Sequence, residues 1–215
     1  MQENSFEAKY DITKKTKLRQ IYESNKILIY SIVVVFVIST IFFTYYFENK
    51  EKQKILLSDS YIQAKVHLEK GEKTKAVNIL KNVIYKNDST YSTLSLFLII
   101  NQNLISEKEE ISNLFNHLLE ENKFDKEIKN LLIFKKAVFE SNYVEEAELL
   151  KALKPILNSE SVWKSHALML LGDYFSYKNE YLKAKEFYTQ ILSIKNLERN
   201  FYNKALYKIT LLNND

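Results

Sequence analysis

Three histidines, His67, His117 and His166, are the residues of this sequence best suited to metal binding or acid–base work. They lie about fifty residues apart. None has a second histidine at i+3 or i+4, the spacing that puts two ligands on one helix face. They read as surface or groove residues. The acidic pairs Glu109/Glu110 and Glu145/Glu146 lie in charged stretches with lysines nearby and read as solvated helix faces. A carboxylate dyad that catalyses needs burial, which spacing does not provide. With no cysteine there is no thiolate nucleophile, disulfide, zinc ribbon or lipidated cysteine. The two glycines, Gly71 and Gly172, stand alone, whereas a P-loop or dinucleotide fold needs several close together for its backbone to approach phosphates. Neither G-x-S-x-G nor H-E-x-x-H occurs. Trp163 and the aromatic residues near the C-terminus read as core, not as a platform for stacking bases. No enzyme, metal, cofactor or small-molecule substrate is therefore expected.

Charge points the same way. The net charge is +4, and from Glu48 onward 25 Lys/Arg face 23 Asp/Glu. No dense basic run marks a nucleic-acid footprint, so no nucleic-acid partner is expected.

The elements that would carry a function are helices. Two glycines and one proline in 215 residues leave too few turn formers for a β architecture. Residues 27–47, ILIYSIVVVFVISTIFFTYYF, contain no charge. As a helix they extend about 31 Å, against a hydrocarbon core of about 30 Å. Fourteen of the 21 are Ile, Leu, Val or Phe. Those side chains favour insertion by at most about 4–8 kcal/mol. Tyr30 near one end and Tyr45 and Tyr46 at the other suit the interfacial zones. A cleaved signal peptide would have an apolar run of about 7–15 residues and a small-residue cleavage site. This run is longer and ends in Phe-Thr-Tyr-Tyr-Phe, so it reads as an uncleaved signal anchor. Lys14, Lys15, Lys17, Arg19 and Lys26 precede it, and Lys50, Lys52 and Lys54 follow it. That excess places the basic tail, residues 1–26, in the cytoplasm and residues 48–215 on the opposite side.

Past Glu48, apolar residues recur at helical spacing, and the pattern repeats. The clearest unit runs Leu168-x-x-Leu171-Gly172-x-x-Phe175, then Asn179-x-Tyr181-x-x-Ala184-x-x-x-Tyr188-x-x-Ile191. This is the pattern of a tetratricopeptide hairpin: large residues on a first helix A, a turn, and a small residue on helix B where the two approach closely. Upstream turns are expected at Gly71, Ser106 and Asn142. They pair with inward positions Ala76, Ile111 and Ala147. Turns at 71, 106, 142 and 179 are spaced by 35, 36 and 37 residues, and positions 76, 111, 147 and 184 likewise. The tetratricopeptide period is about 34. Ile111 is bulkier than its counterparts and should hold its helix pair apart. Pro155 is expected just past the third helix B, and Phe201 to Leu212 reads as a capping helix. The expected fold is all-α: a transmembrane helix, then about four tetratricopeptide-like helix pairs and a cap. A generic helical bundle is the alternative.

A basic N-terminal stretch, one span and degenerate tetratricopeptide hairpins resemble the ancillary subunit family of the SecYEG translocon. The residues that carry the resemblance are the span 27–47, Tyr61-x-x-Ala64 through Gly71 to Ala76, and Ala167-Leu168-Met169-Leu170-Leu171-Gly172-Asp173-Tyr174. The resemblance implies a single-pass bacterial inner-membrane protein with a tetratricopeptide-like periplasmic domain. It also implies that the protein sits beside the Sec translocon and meets periplasmic chaperones that handle emerging chains. A different reading of the same hairpins is an envelope-assembly or cell-division coordination factor. Such factors are often soluble or lipid-anchored through cysteine, whereas this chain has a span and no cysteine.

If helix A of each pair lines a concave face, a partner would meet Tyr61 and Lys65 in the first pair, and Leu96 and Ile100 in the second. It would meet Leu132 and Lys136 in the third, and His166, Met169, Asp173 and Tyr177 in the fourth. In the second pair Leu94, Leu98 and Ile99 already provide an inward face, so Leu96 and Ile100 either form a sticky strip or are buried against a neighbour.

Overall fold

The structure is a computed structural model that describes residues 23–213. The basic tail before residue 23 lies outside the described residues. Among the described residues there are nine helices and no strand. They are α1 (Lys26–Glu69), α2 (Lys73–Ile84), α3 (Tyr91–Asn101), α4 (Lys108–Glu121) and α5 (Lys126–Glu140). They continue with α6 (Glu146–Leu157), α7 (Lys164–Tyr177), α8 (Tyr181–Leu192) and α9 (Arg199–Leu212). The chain divides into two units, one ending at Leu56 and one beginning at Leu57.

The first unit is the long N-terminal part of α1. Its apolar stretch is the one segment among the described residues long and apolar enough to cross a membrane, with a mean hydropathy of 2.6 over its best window. None of that window is buried. Exposed Ile, Val and Phe side chains around a whole helix are what a lipid-facing surface requires. Its hydroxyl residues are satisfied locally: Ser31 donates to the carbonyl of Ile27, Thr40 to that of Phe36 and Thr44 to that of Thr40. Each back-bond spares an apolar medium an unpaired donor.

From α2 onward, helices next to one another in sequence pack together, and α5 also touches α7. The turns explain the reversals. Gly71, Asn103 and Asn179 have φ of 78°, 47° and 62°, in the left-handed region that glycine and asparagine enter most readily. At each, the next residue donates its N–H five residues back. Glu72 N–H reaches His67 O at 2.9 Å, Leu104 N–H reaches Ile99 O at 3.0 Å, and Glu180 N–H reaches Phe175 O at 2.9 Å. These bonds satisfy carbonyls that a helix end leaves unpaired. The second reversal is therefore at Asn103, not at Ser106. The third, between α5 and α6, has no left-handed residue. There, Tyr143 and Val144 N–H both donate to Glu140 O.

The turns also shift the register. Ala76, Ile111 and Ala184 are buried as expected, but Ala147 is exposed. Leu149 takes its place, so the recurring inward residues are 76/80/83, 111/115/118, 149/153/156 and 184/188/191. Their spacing is 35, 38 and 35. Pro155 lies within the last turn of α6 instead of beyond it.

Two apolar clusters form the core. Leu80, Ile84, Leu96, Ile99, Phe115 and Leu118 centre the first. Leu153, Leu171, Phe175, Tyr188 and Ile191 centre the second. α5 contributes Leu132 to the first and Ala137 to the second. The closest helix approach is α7 on α8. A Cβ added to Gly172 would lie 2.3 Å from the Tyr188 ring. α3 and α4, where Ile111 stands in place of alanine, pack less closely. Polar links join alternate helices: Lys81 to Glu110 from α2 to α4, Glu146 to Lys183 from α6 to α8, and Asp173 to Lys208 from α7 to α9.

Candidate partner-binding surface

Helix packing decides which of the ten candidate residues reach solvent. Leu96 and Leu132 are completely buried in the first core cluster and line no groove. The inward face of α3 is Leu96 and Ile99, flanked by buried Ser92 and Ser95, while Leu94 is exposed. Leu94, expected inward, is thus outward, and of the two alternatives for Leu96 burial against a neighbour holds. The cause is helical phase: small Ser92 and Ser95 let α3 lie close to its neighbours, and Ser92 Oγ donates to the Val83 carbonyl at 3.0 Å. Ile100 is half-buried against the same cluster.

The remaining candidates are at least partly accessible. Tyr61 is half-buried, its ring 6.3 Å from that of Tyr91, and Lys65 on the same helix is exposed. Lys136 is half-buried, donating to Asn116 Oδ1 at 2.6 Å with Glu140 at 3.7 Å. Met169 is half-buried against the second cluster. Asp173 accepts from the Tyr188 hydroxyl and from Lys208 Nζ, each at 2.7 Å. Burial, reinforced by this carboxylate, pushes the Tyr188 phenol far above its ordinary value. Tyr177 is 86% exposed at the end of α7.

His166 has the most elaborate surroundings. Its ring lies 5.6 Å from Phe134 of α5, 4.9 Å from Trp163 and 4.5 Å from Phe201 of α9. Phe134 and Trp163 stack at 5.8 Å. The Nδ1 atom is buried, with the Val162 backbone close by. Burial is the chief influence pushing this imidazole below its ordinary 6.5. A cavity of about 780 Å³ opens beside it, with Trp163, His166, Ile194, Leu197 and Phe201 among its lining. The loop from α6 into this cavity is tied to α5 by Glu127, whose Oε2 accepts from Ser161 Oγ at 2.8 Å and from Val162 N–H at 3.3 Å. Asp173 and Tyr177 line a different cavity of about 570 Å³, with Tyr143, Val144, Leu170 and Tyr174. Three of the fourth-pair candidates are therefore divided between two hollows, and Met169 lines neither. Trp163 is part of the packing, as its aromatic character suggested. Phe134 and Phe201 were missed as neighbours of His166. The one signal for Phe201 was its position 35 residues on, one repeat period away.

The other two histidines are held singly. His67 Nδ1 is 2.5 Å from Glu72 Oε2. Lys75 first, then His67, holds the Glu72 carboxyl down to about 2. His117 Nε2 is 2.8 Å from Asn87 Oδ1, with its ring 4.8 Å from Tyr85. Among the described residues, no three His, Cys, Asp or Glu side chains gather in a way that would hold a metal ion. The hollows are thus lined by aromatic, aliphatic and scattered polar side chains, a mixture that suits contact with another polypeptide.

No protein-family model, curated protein or solved structure matches this chain.

Proposed function

We propose that this protein is a membrane-anchored, non-catalytic scaffold for protein–protein interaction, built from tetratricopeptide-like helix pairs. The observation that carries the reading is the recurrence of buried positions at 76/80/83, 111/115/118, 149/153/156 and 184/188/191, in helices that from α2 onward pack on the next in sequence. Stacked repeats of this kind gain stability from neighbour contacts and present extended surfaces to partners. The matching left-handed turns at Gly71, Asn103 and Asn179 support the same reading. So do the hollows beside His166 and beside Asp173 and Tyr177, each lined from two successive pairs or a pair and the last helix.

In this proposal residues 27–47 span a bacterial inner membrane, with the basic tail in the cytoplasm and the helical domain in the periplasm. The protein works as an ancillary subunit of the SecYEG translocon, beside periplasmic chaperones. The support is the span, the lysine and arginine excess before it, and the layout described above. The test is site-specific photocrosslinking from Tyr61, Tyr177 and the His166 position in intact membranes. Adducts with translocon subunits or periplasmic folding factors are the expected result. Adducts confined to peptidoglycan or outer-membrane assembly proteins would replace the translocon role with an envelope-assembly one. Adducts with no protein from any of the three positions would overturn the scaffold reading.

A further inference from the structure

The hollow at the ends of α5 and α7 is shaped by contacts already in place. The Tyr174 hydroxyl donates to the Val144 carbonyl at 3.4 Å, which holds the α5–α6 turn against α7. Val144 and Leu170 give the cavity of about 570 Å³ apolar surface, and Tyr143, Tyr174 and Tyr177 give it three phenol rings. Two of those rings already carry a cation. Lys108 Nζ lies 4.7 Å from the centre of the Tyr143 ring, and Lys178 Nζ lies 5.6 Å from that of Tyr174. The third ring carries none. Tyr177 is 86% exposed, and among the described residues no ring or ammonium meets its ring and no hydrogen bond engages its hydroxyl.

Charge favours a further cation in this hollow. Its lining holds two carboxylates, Glu145 and Asp173, against one ammonium, Lys178. Asp173 is taken up by Tyr188 and Lys208. Glu145 is exposed and has no ion pair among the described residues. The last turns of α5 and α7 both end at the hollow, and the C-terminal end of a helix is the negative end of its dipole. The N-terminus of α6 borders it too, but Glu145 at the N-cap and Glu146 and Glu148 in the first turn offset that positive end. One phenol face and one carboxylate are thus left without partners. A guanidinium meets both, since its plane stacks on an aromatic ring while its edge offers paired N–H donors to a carboxylate. A compact ammonium matches that pair less well. The cavity also exceeds one side chain, so residues flanking the arginine rest on Val144 and Leu170.

We propose that this hollow binds an arginine-bearing segment of another protein, with the guanidinium on the Tyr177 ring and against the Glu145 carboxylate. The proposal rests on the scaffold reading in taking the occupant to be a polypeptide, and it names the side chain that the occupant brings.

The full chain in nonionic detergent micelles provides the test, read by fluorescence anisotropy. The probe is a labelled ten-residue Gly/Ser peptide with Leu-Arg-Leu at its centre. Three control peptides carry citrulline, lysine or glutamate in place of the arginine; citrulline keeps the shape and loses the charge. Saturable binding of the arginine peptide is expected, about tenfold weaker in Tyr177→Ala and in Glu145→Gln. All three controls should bind more weakly than the arginine peptide, the citrulline one by about tenfold. The variant Glu145→Lys should turn the preference toward the glutamate peptide, a change that misfolding would not produce. Absence of saturable binding overturns the proposal, as does a control peptide that binds as well as the arginine one. Binding untouched by both Tyr177→Ala and Glu145→Gln overturns it as well. Free arginine that competes as strongly as the peptide would make the site one for a small molecule and would overturn it too. If the arginine peptide fails while photocrosslinks from Tyr61 and the His166 position persist, this proposal falls and the scaffold reading stands. If the peptide binds but none of the three crosslinking positions gives a protein adduct, the scaffold reading falls and the arginine site stands.

Discussion

At the scale of single residues, burial separates the candidates cleanly, and stability measurements can check the separation. Leu96→Ala and Leu132→Ala each remove side chains that are wholly enclosed, and each should cost about 2–5 kcal/mol in urea unfolding. Tyr177→Ala, at an exposed helix end, should leave the unfolding midpoint within experimental scatter. A large loss for Tyr177→Ala would remove it from the accessible surface. His166 adds a pH dependence. Burial depresses its pKa in the folded state below the ordinary 6.5 of the unfolded chain. Between those two values the unfolded chain binds more protons, so stability rises with pH. It is lost as pH falls through 6.5 toward the folded value, and that part of the pH profile should flatten in His166→Phe. An unchanged slope in that variant would mean that other groups set it. From the sequence, His166 was recognisable as a surface or groove residue, but its aromatic enclosure was not. Phe134, Trp163 and Phe201 come from three separate segments, and only their packing brings them to one ring.

At the scale of elements, the helices were legible and the phase of the buried positions in the middle of the chain was not. Gly71 is called for by its left-handed φ and Gly172 by the Tyr188 ring against it, and each sits inside a strong local pattern. The first and fourth pairs have short turns closed by a left-handed residue, so their period survives in the sequence. The second and third pairs have longer turns. From the last residue of helix A to the first buried residue of helix B the chain takes 7 residues in the first and fourth pairs, but 10 and 9 in the second and third. A fixed offset from pair one therefore arrives at Ala147 when the buried residue is Leu149. Buried Ser92 and Ser95 likewise gave no sign that they faced inward, since small polar residues mark close helix approach as readily as a surface. Two substitutions test the closest crossing. Gly172→Ala drives a methyl into the Tyr188 ring, and Ala184→Phe overfills the facing helix. Each should lower stability by about 1–3 kcal/mol. Lys183→Ala, which removes exposed ion pairs to Glu146 and Glu180, should lower it by less. Equal losses in all three would place the crossing elsewhere.

At the scale of the whole molecule, the absence of cysteine makes topology directly measurable. Single cysteines at Asn4 and Asn213 should label from opposite sides of the membrane, with Asn4→Cys protected from an impermeant maleimide in cells whose inner membrane is exposed. Labelling of Asn4→Cys there would reverse the proposed orientation. Residues 51–215 alone should be soluble and strongly helical by circular dichroism, since the exposed apolar stretch long enough to cross a membrane lies before them. Helix α5 has a further consequence for the domain. It is the one element that gives a fully buried side chain to both clusters, Leu132 to one and Ala137 to the other, five residues apart. Cooperativity between the halves must pass largely through α5 and through Tyr143 just beyond it, which meets Ser112 and Lys108 of α4. Amide hydrogens of α2–α4 and of α6–α8 should then exchange with solvent as two populations with distinct opening free energies. Loosening α5 with a helix-interior glycine should widen the gap between them, so that one half can open on its own while the other stays shut.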